Sequence, residues 1–153
     1  MNCDNEICTL IRNGGVLSCV SGNSVGELYS SVIDQISVPG YDKAELLAEL
    51  LEREKVLSTA VGNTIAIPHP RRPLMKTEAD QRIYVCYLKD PIDMNAPDSL
   101  KVTTFFVLFT SNSQTHIKVL SSLAKALRSP NFRRELEKKP SADELCSLIS
   151  QVI

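Results

Sequence analysis

Gly62-Asn63-Thr64-Ile65-Ala66-Ile67-Pro68-His69-Pro70-Arg71 sets a short β-branched run directly before a histidine held between two prolines. Thr64 to Ile67 reads as a strand, because such residues fit a pleated, half-buried surface. Proline fixes its own φ and pushes the residue before it out of the α region. Pro68 therefore constrains Ile67, and Pro70 constrains His69 itself. The imidazole is held on a stiff extended segment just past a strand, a placement that spares an incoming group the cost of ordering its acceptor. A solvated histidine in an edge turn accounts for the same residues.

Two more strands follow this run in sequence, Arg82 to Leu88 and Val102 to Phe109, the second apolar enough to be buried on both faces. Before it, Asn13-Gly14-Gly15 reads as a turn and Val16 to Val20 as a short strand. Ser24 to Glu27 has the form of a capping box, followed by Leu28, Val32 and Ile36 at helical spacing, with Val38-Pro39-Gly40 as the stop. Asp42 to Glu45 starts a second helix whose leucines run to about Val56, with Arg53 near its end. After Ser113 the helical period returns in Ile117, Leu120, Ala124 and Leu127. A short helix around Phe132 to Glu137 follows, then one capped at Ser141. Strands in the middle with helices on either side predict a layered α/β domain, and residues 1–153 read as one unit.

Composition narrows the function. The chain is 43% hydrophobic with a net charge of −1 and no basic stripe, which argues against nucleic acid as the ligand. Its apolar runs are strand-sized, far short of the roughly 20 residues a membrane helix needs. The segment Met1 to Glu6 lacks the pattern of an export signal, so a cytoplasmic location is expected. The five cysteines, Cys3, Cys8, Cys19, Cys86 and Cys146, contain no Cys-x-x-Cys pair and read as free thiols, Cys86 and Cys146 as small core residues.

The second of the two histidines, His116, stands at the start of a helix. With Ser113 as N-cap it is the third helical residue, where the three other capped helices carry glutamate. A cation is unfavourable there, whereas a neutral imidazole beside helix N-terminal amides suits an anion such as a phosphoryl group, and the dipole should lower its pKa. A surface histidine without a role fits the same position. Arg53, Arg71 and Arg72 are candidate phosphate forks, with Ser58 and Thr59 as further donors. Against each stands the ordinary reading of a solvated charge or a helix end. No nucleophile elbow, metal-binding helix or Gly-rich phosphate loop is present, which leaves histidine itself as the economical nucleophile.

These residues resemble the enzyme IIA domains of the fructose, mannitol and nitrogen-regulatory type in the bacterial phosphoenolpyruvate-dependent phosphotransferase system. The resemblance runs from about Leu10 to Ile149. It is carried by Leu50 to Glu54, Ser58-Thr59, Val61 to His69, Pro91 to Asp98, and Thr115 to Leu120 with Leu123-Ala124. It implies a mixed β-sheet flanked by helices on both faces. It also implies that His69 accepts a phosphoryl group from phospho-HPr, that His116 and Arg53 stabilise that group, and that no metal or organic cofactor is needed. Thr59 and Arg71 are the further binding candidates. Thr64, Pro70 and Ser99 depart from the family's usual glycine or small residue at those positions.

The run Ser113 to Ile117 with Leu120-Ser121 looks more like the nitrogen-regulatory branch, whose output is signalling, than like a sugar-specific enzyme IIA that hands phosphate to a IIB partner. A non-catalytic interaction module on the same fold is the third alternative. Ile67 and Pro68 are candidate docking contacts for a partner.

Overall fold

Along β4 (Arg82–Ile92) and β5 (Val102–Phe109), successive side chains enter two separate cores, as the period-2 geometry of a strand requires. Tyr84, Cys86, Phe105, Val107 and Phe109 join one, and Ile83, Val85, Tyr87, Phe106 and Leu108 join the other. These strands are the middle of a five-stranded sheet in the order β1-β4-β5-β3-β2, with β1 (Gly15–Val20), β2 (Ala60–Gly62) and β3 (Ile65–Ala66). β1 runs parallel to β4 and β3 parallel to β5, while β4 with β5 and β2 with β3 are antiparallel, so the sheet is mixed. The computed structural model describes residues 4–152. Cys3 and the first residues of the segment read for an export signal lie outside that range.

Helices cover both faces, as expected. On the first core lie α2 (Val25–Gln35), through Leu28, Val32 and Ile33, and α3 (Lys43–Val56), through Leu46 and Leu50. On the second lie α1 (Asp4–Gly14), α4 (Ser113–Leu127), α5 (Pro130–Leu136) and α6 (Ala142–Val152). Ser24, Asp42 and Ser141 each accept the backbone N–H three residues on, which satisfies one orphan amide at each helix start. No helix among the described residues is long and apolar enough to cross a membrane.

Several boundaries differ from the sequence reading. Asn13-Gly14 is not a free-standing turn but the end of α1, a helix that reading missed. A Cβ on Gly14 would lie 2.0 Å from the Ile83 carbonyl oxygen, so glycine is needed there to let α1 meet β4. The strand expected from Thr64 to Ile67 is shorter. Asn63 and Thr64 both have positive φ, 54° and 67°, and form the two-residue turn of a β2–β3 hairpin. The expected Arg82–Leu88 strand continues to Ile92, and the Phe132 helix begins at Pro130, capped by Ser129.

Candidate active site

His69 is fixed by backbone bonds on both sides of its strand. Ile67 N–H donates to the Thr59 carbonyl at 3.0 Å and Leu108 N–H donates to the Pro68 carbonyl at 2.9 Å, so the chain beyond β3 stays clamped up to the histidine. Pro68 and Pro70 are buried and the ring between them is half-buried. Nδ1 lies 2.8 Å from the Ile67 carbonyl oxygen. A carbonyl only accepts, so Nδ1 carries the proton and Nε2 the lone pair. Arg53, in the last turn of α3, donates its Nε–H to that lone pair at 3.2 Å and an Nη1–H to the Leu57 carbonyl at 2.5 Å.

His116 meets His69 edge to face, with ring centroids 4.6 Å apart and planes at 63°. Its helical position differs from the expected one. The N-cap of α4 is Asn112, whose side chain accepts the Thr115 N–H at 2.8 Å, so Thr115 holds the third position and His116 the fourth. The comparison with glutamate at that slot therefore fails. The pairing of the two rings rests on tertiary geometry instead.

Both histidines titrate below the ordinary value. For His69 burial is the main cause, followed by an opposing pull from the Ile67 carbonyl and then by the charges of His116 and Arg53. For His116 burial leads and the Arg53 charge follows, and the shift has the downward direction expected from sequence. Near neutral pH both rings are uncharged, and His69 presents an unprotonated Nε2 lone pair.

Beside the rings lies a cavity of about 120 Å³, lined also by Arg71, Arg72, Thr110 and Ser113. Arg71 thus adjoins the site. Thr59 does not: it is buried, its hydroxyl donates to Glu54 Oε1 at 2.7 Å and its N–H to Glu54 Oε2 at 2.9 Å. The Tyr29 hydroxyl donates to the same Oε1 at 2.5 Å. Thr59 belongs to a carboxylate clamp that fixes the chain between α3 and β2. Sequence reasoning quoted Glu54 only within the stretch that carries the resemblance and gave it no role, since only the tertiary placement of Tyr29 gives it a buried task. The Ile67 and Leu57 carbonyls carry no side-chain signal at all.

Residues 10–152 match the family model described as phosphoenolpyruvate-dependent sugar phosphotransferase system, EIIA 2, and the chain belongs to that family. A nitrogen regulatory protein homolog of Haemophilus influenzae is 35% identical over 152 residues, covering 92% of this chain and 88% of the relative. The nitrogen regulatory protein of Pseudomonas aeruginosa is 29% identical over 147 residues, covering 94% of each. Among solved structures, nitrogen regulatory protein IIA-Ntr from Neisseria meningitidis superposes with a TM-score of 0.75 at 28% identity, covering 88% of this chain and 91% of that one.

Proposed function

We propose that the chain is a histidine phosphocarrier that takes a phosphoryl group onto His69 Nε2 from the phosphohistidine of HPr, and that its phosphorylation state is a signal of the nitrogen-regulatory kind. One observation carries the chemistry: the Ile67 carbonyl holds the proton on Nδ1, which leaves Nε2 as the nucleophile. In the transfer, the Nε2 lone pair forms the new N–P bond while the donor's N–P bond breaks and its electron pair returns to the donor imidazole. Nδ1 keeps its proton, so the phosphorylated ring is cationic and its bond to the Ile67 carbonyl strengthens. Before attack, Arg53 must release the lone pair, and passing its Nε–H to a phosphoryl oxygen preserves a charge-assisted bond.

The signalling output is supported by nearly end-to-end likeness to relatives named nitrogen regulatory protein. Partner docking falls elsewhere than on Ile67 and Pro68, which are buried. Val56, Leu57 and Ile117 are 71%, 70% and 62% exposed and adjoin Arg53 and His116 along the chain, so they are the apolar contacts offered to HPr or a target. Incubation with phosphoenolpyruvate, enzyme I and HPr should add one acid-labile phosphate, detected by intact mass, and His69→Ala should abolish it. No gain of mass would reject the carrier reading in favour of a binding module. Delivery of the label to a sugar-specific IIB would move the output from signalling to uptake.

A further inference from the structure

Pro73 keeps the backbone of Arg72 out of the α region, so its guanidinium is repositioned mainly by rotation of the long side chain. Arg71 and Arg72 both line the cavity beside His69 and His116. Both also line a neighbouring cavity whose other walls are Glu49 and Glu52 of α3. Arg72 Nη2 lies 4.0 Å from Glu49 Oε1, with the arginine side chain 72% exposed and the glutamate 22%. That is a long, solvent-screened ion pair, of the kind that contributes little and is easily given up. Glu52 is already engaged by Lys55 at 3.0 Å, which leaves Glu49 as the carboxylate that holds Arg72.

We propose that Arg72 is a phosphoryl-binding residue stored on Glu49, exchanging that carboxylate for the phosphoryl group once His69 is modified. The inference rests on the phosphocarrier reading above. A phosphoryl dianion matches the guanidinium fork better than one distant carboxylate oxygen, and the half-enclosed cavity screens it less than open solvent does. The exchange makes and breaks no covalent bond beyond the transfer to His69. Its consequence is a change in surface charge: in the phosphorylated state Glu49 loses its counter-ion, and the α3 face it shares with Glu52 becomes one charge more negative. The modification at His69 would thus be reported on a helix face that does not itself carry phosphate.

The test is the equilibrium constant for phosphoryl exchange with HPr, measured for the unaltered chain, Glu49→Gln, Arg72→Ala and the double variant, with thermal melts to verify folding. Glu49→Gln releases Arg72 and should shift the equilibrium toward the phosphorylated chain by about threefold. Arg72→Ala should shift it away by roughly tenfold, the loss of one charge-assisted bond. In the Arg72→Ala background Glu49→Gln should have no effect. A Glu49→Gln shift of the same size with and without Arg72 reflects general repulsion and overturns the exchange, as does no shift from either single variant. If a variant fails to fold, Arg72→Lys and Glu49→Ala replace it in the same cycle. Absence of label on His69 in the unaltered chain is a different failure, since it removes the carrier reading and this inference together.

Discussion

Tyr29→Phe isolates the clamp behind the site, because it deletes one hydroxyl and leaves the buried ring against Phe105 in place, where the centroids are 5.5 Å apart. Tyr29 is 0% exposed and its hydroxyl donates to Glu54 at 2.5 Å, so no water replaces the lost donor directly. Burial and the Glu54 charge push the phenol far above its ordinary value, which keeps the hydroxyl protonated as the donor. A hydrogen bond to a charged acceptor contributes about 1.5–3 kcal/mol. For a chain of this length that corresponds to a fall in Tm of about 3–12 °C. Glu54→Ala should cost more, about 3–5 kcal/mol, because it removes the charged acceptor from the Tyr29 hydroxyl and both Thr59 donors and leaves the two hydroxyls only their long 3.5 Å contact with each other. The double variant should lose less than the sum of the two. Urea unfolding followed by far-UV circular dichroism measures all three. A Tyr29→Phe loss below about 0.5 kcal/mol, or strict additivity, would refute the clamp as a source of stability.

Three further outcomes are expected. The folded-state pKa values of His69 and His116 lie below the unfolded value, so the unfolded chain binds more protons as the solution is acidified. Stability is therefore full above about pH 6.5 and falls as pH drops through the folded-state values, and Arg53→Ala should move both titrations upward by NMR. His116→Ala should slow phosphorylation by roughly 10-fold to 100-fold while leaving the label on His69, the size of one hydrogen bond to a charged group at about 1.5–3 kcal/mol; rapid-quench labelling measures this, and loss of the attachment site itself would contradict the assignment. Gly14→Ala should destabilise by about 2–3 kcal/mol in chemical denaturation, because its Cβ meets the Ile83 backbone oxygen at 2.0 Å.

The layers and the stiffly held histidine were legible because each rests on local chemistry. Ser24, Asp42 and Ser141 announce helices through side chains that bond their own backbone, and Pro68 and Pro70 announce a stiff histidine through ring geometry. Helix α1 was not legible in the same way. Its Ile7, Leu10 and Ile11 are buried at helical spacing, but its end carries Asn13-Gly14-Gly15, which has the composition of a turn. The glycine is there for the approach to β4, a long-range contact that leaves no local trace. Thr59 misled for the complementary reason: a threonine after a helix can donate outward to an anion or inward to a carboxylate, and the buried Tyr29 and Glu54 decide the direction.

The start of α4 shows how a one-residue ambiguity bears on the site. Asn112 and Ser113 are both good N-caps, and sequence offers no reason to prefer either. The choice is made by the sheet end: Gln81 Oε1 accepts the Ser111 N–H at 2.9 Å, while Met75 N–H donates to the Thr110 carbonyl at 3.1 Å, which fixes the chain just before Asn112. With Asn112 as cap, Thr115 takes the third position and is buried. His116 is then turned by about 100°, one residue's rotation, from that inward position. A cap at Ser113 would begin the helix one residue later and put the imidazole in the slot whose side chain folds back on the cap. The contact between the two histidines therefore depends on Gln81 and Asn112, neither of which touches His69. Asn112→Ala should weaken the labelling of His69 even though His69 itself, Arg53 and the cavity arginines are unchanged, and Asn112→Asp, which still caps, should restore it. Equal labelling in all three chains would show that the ring pairing does not depend on this cap.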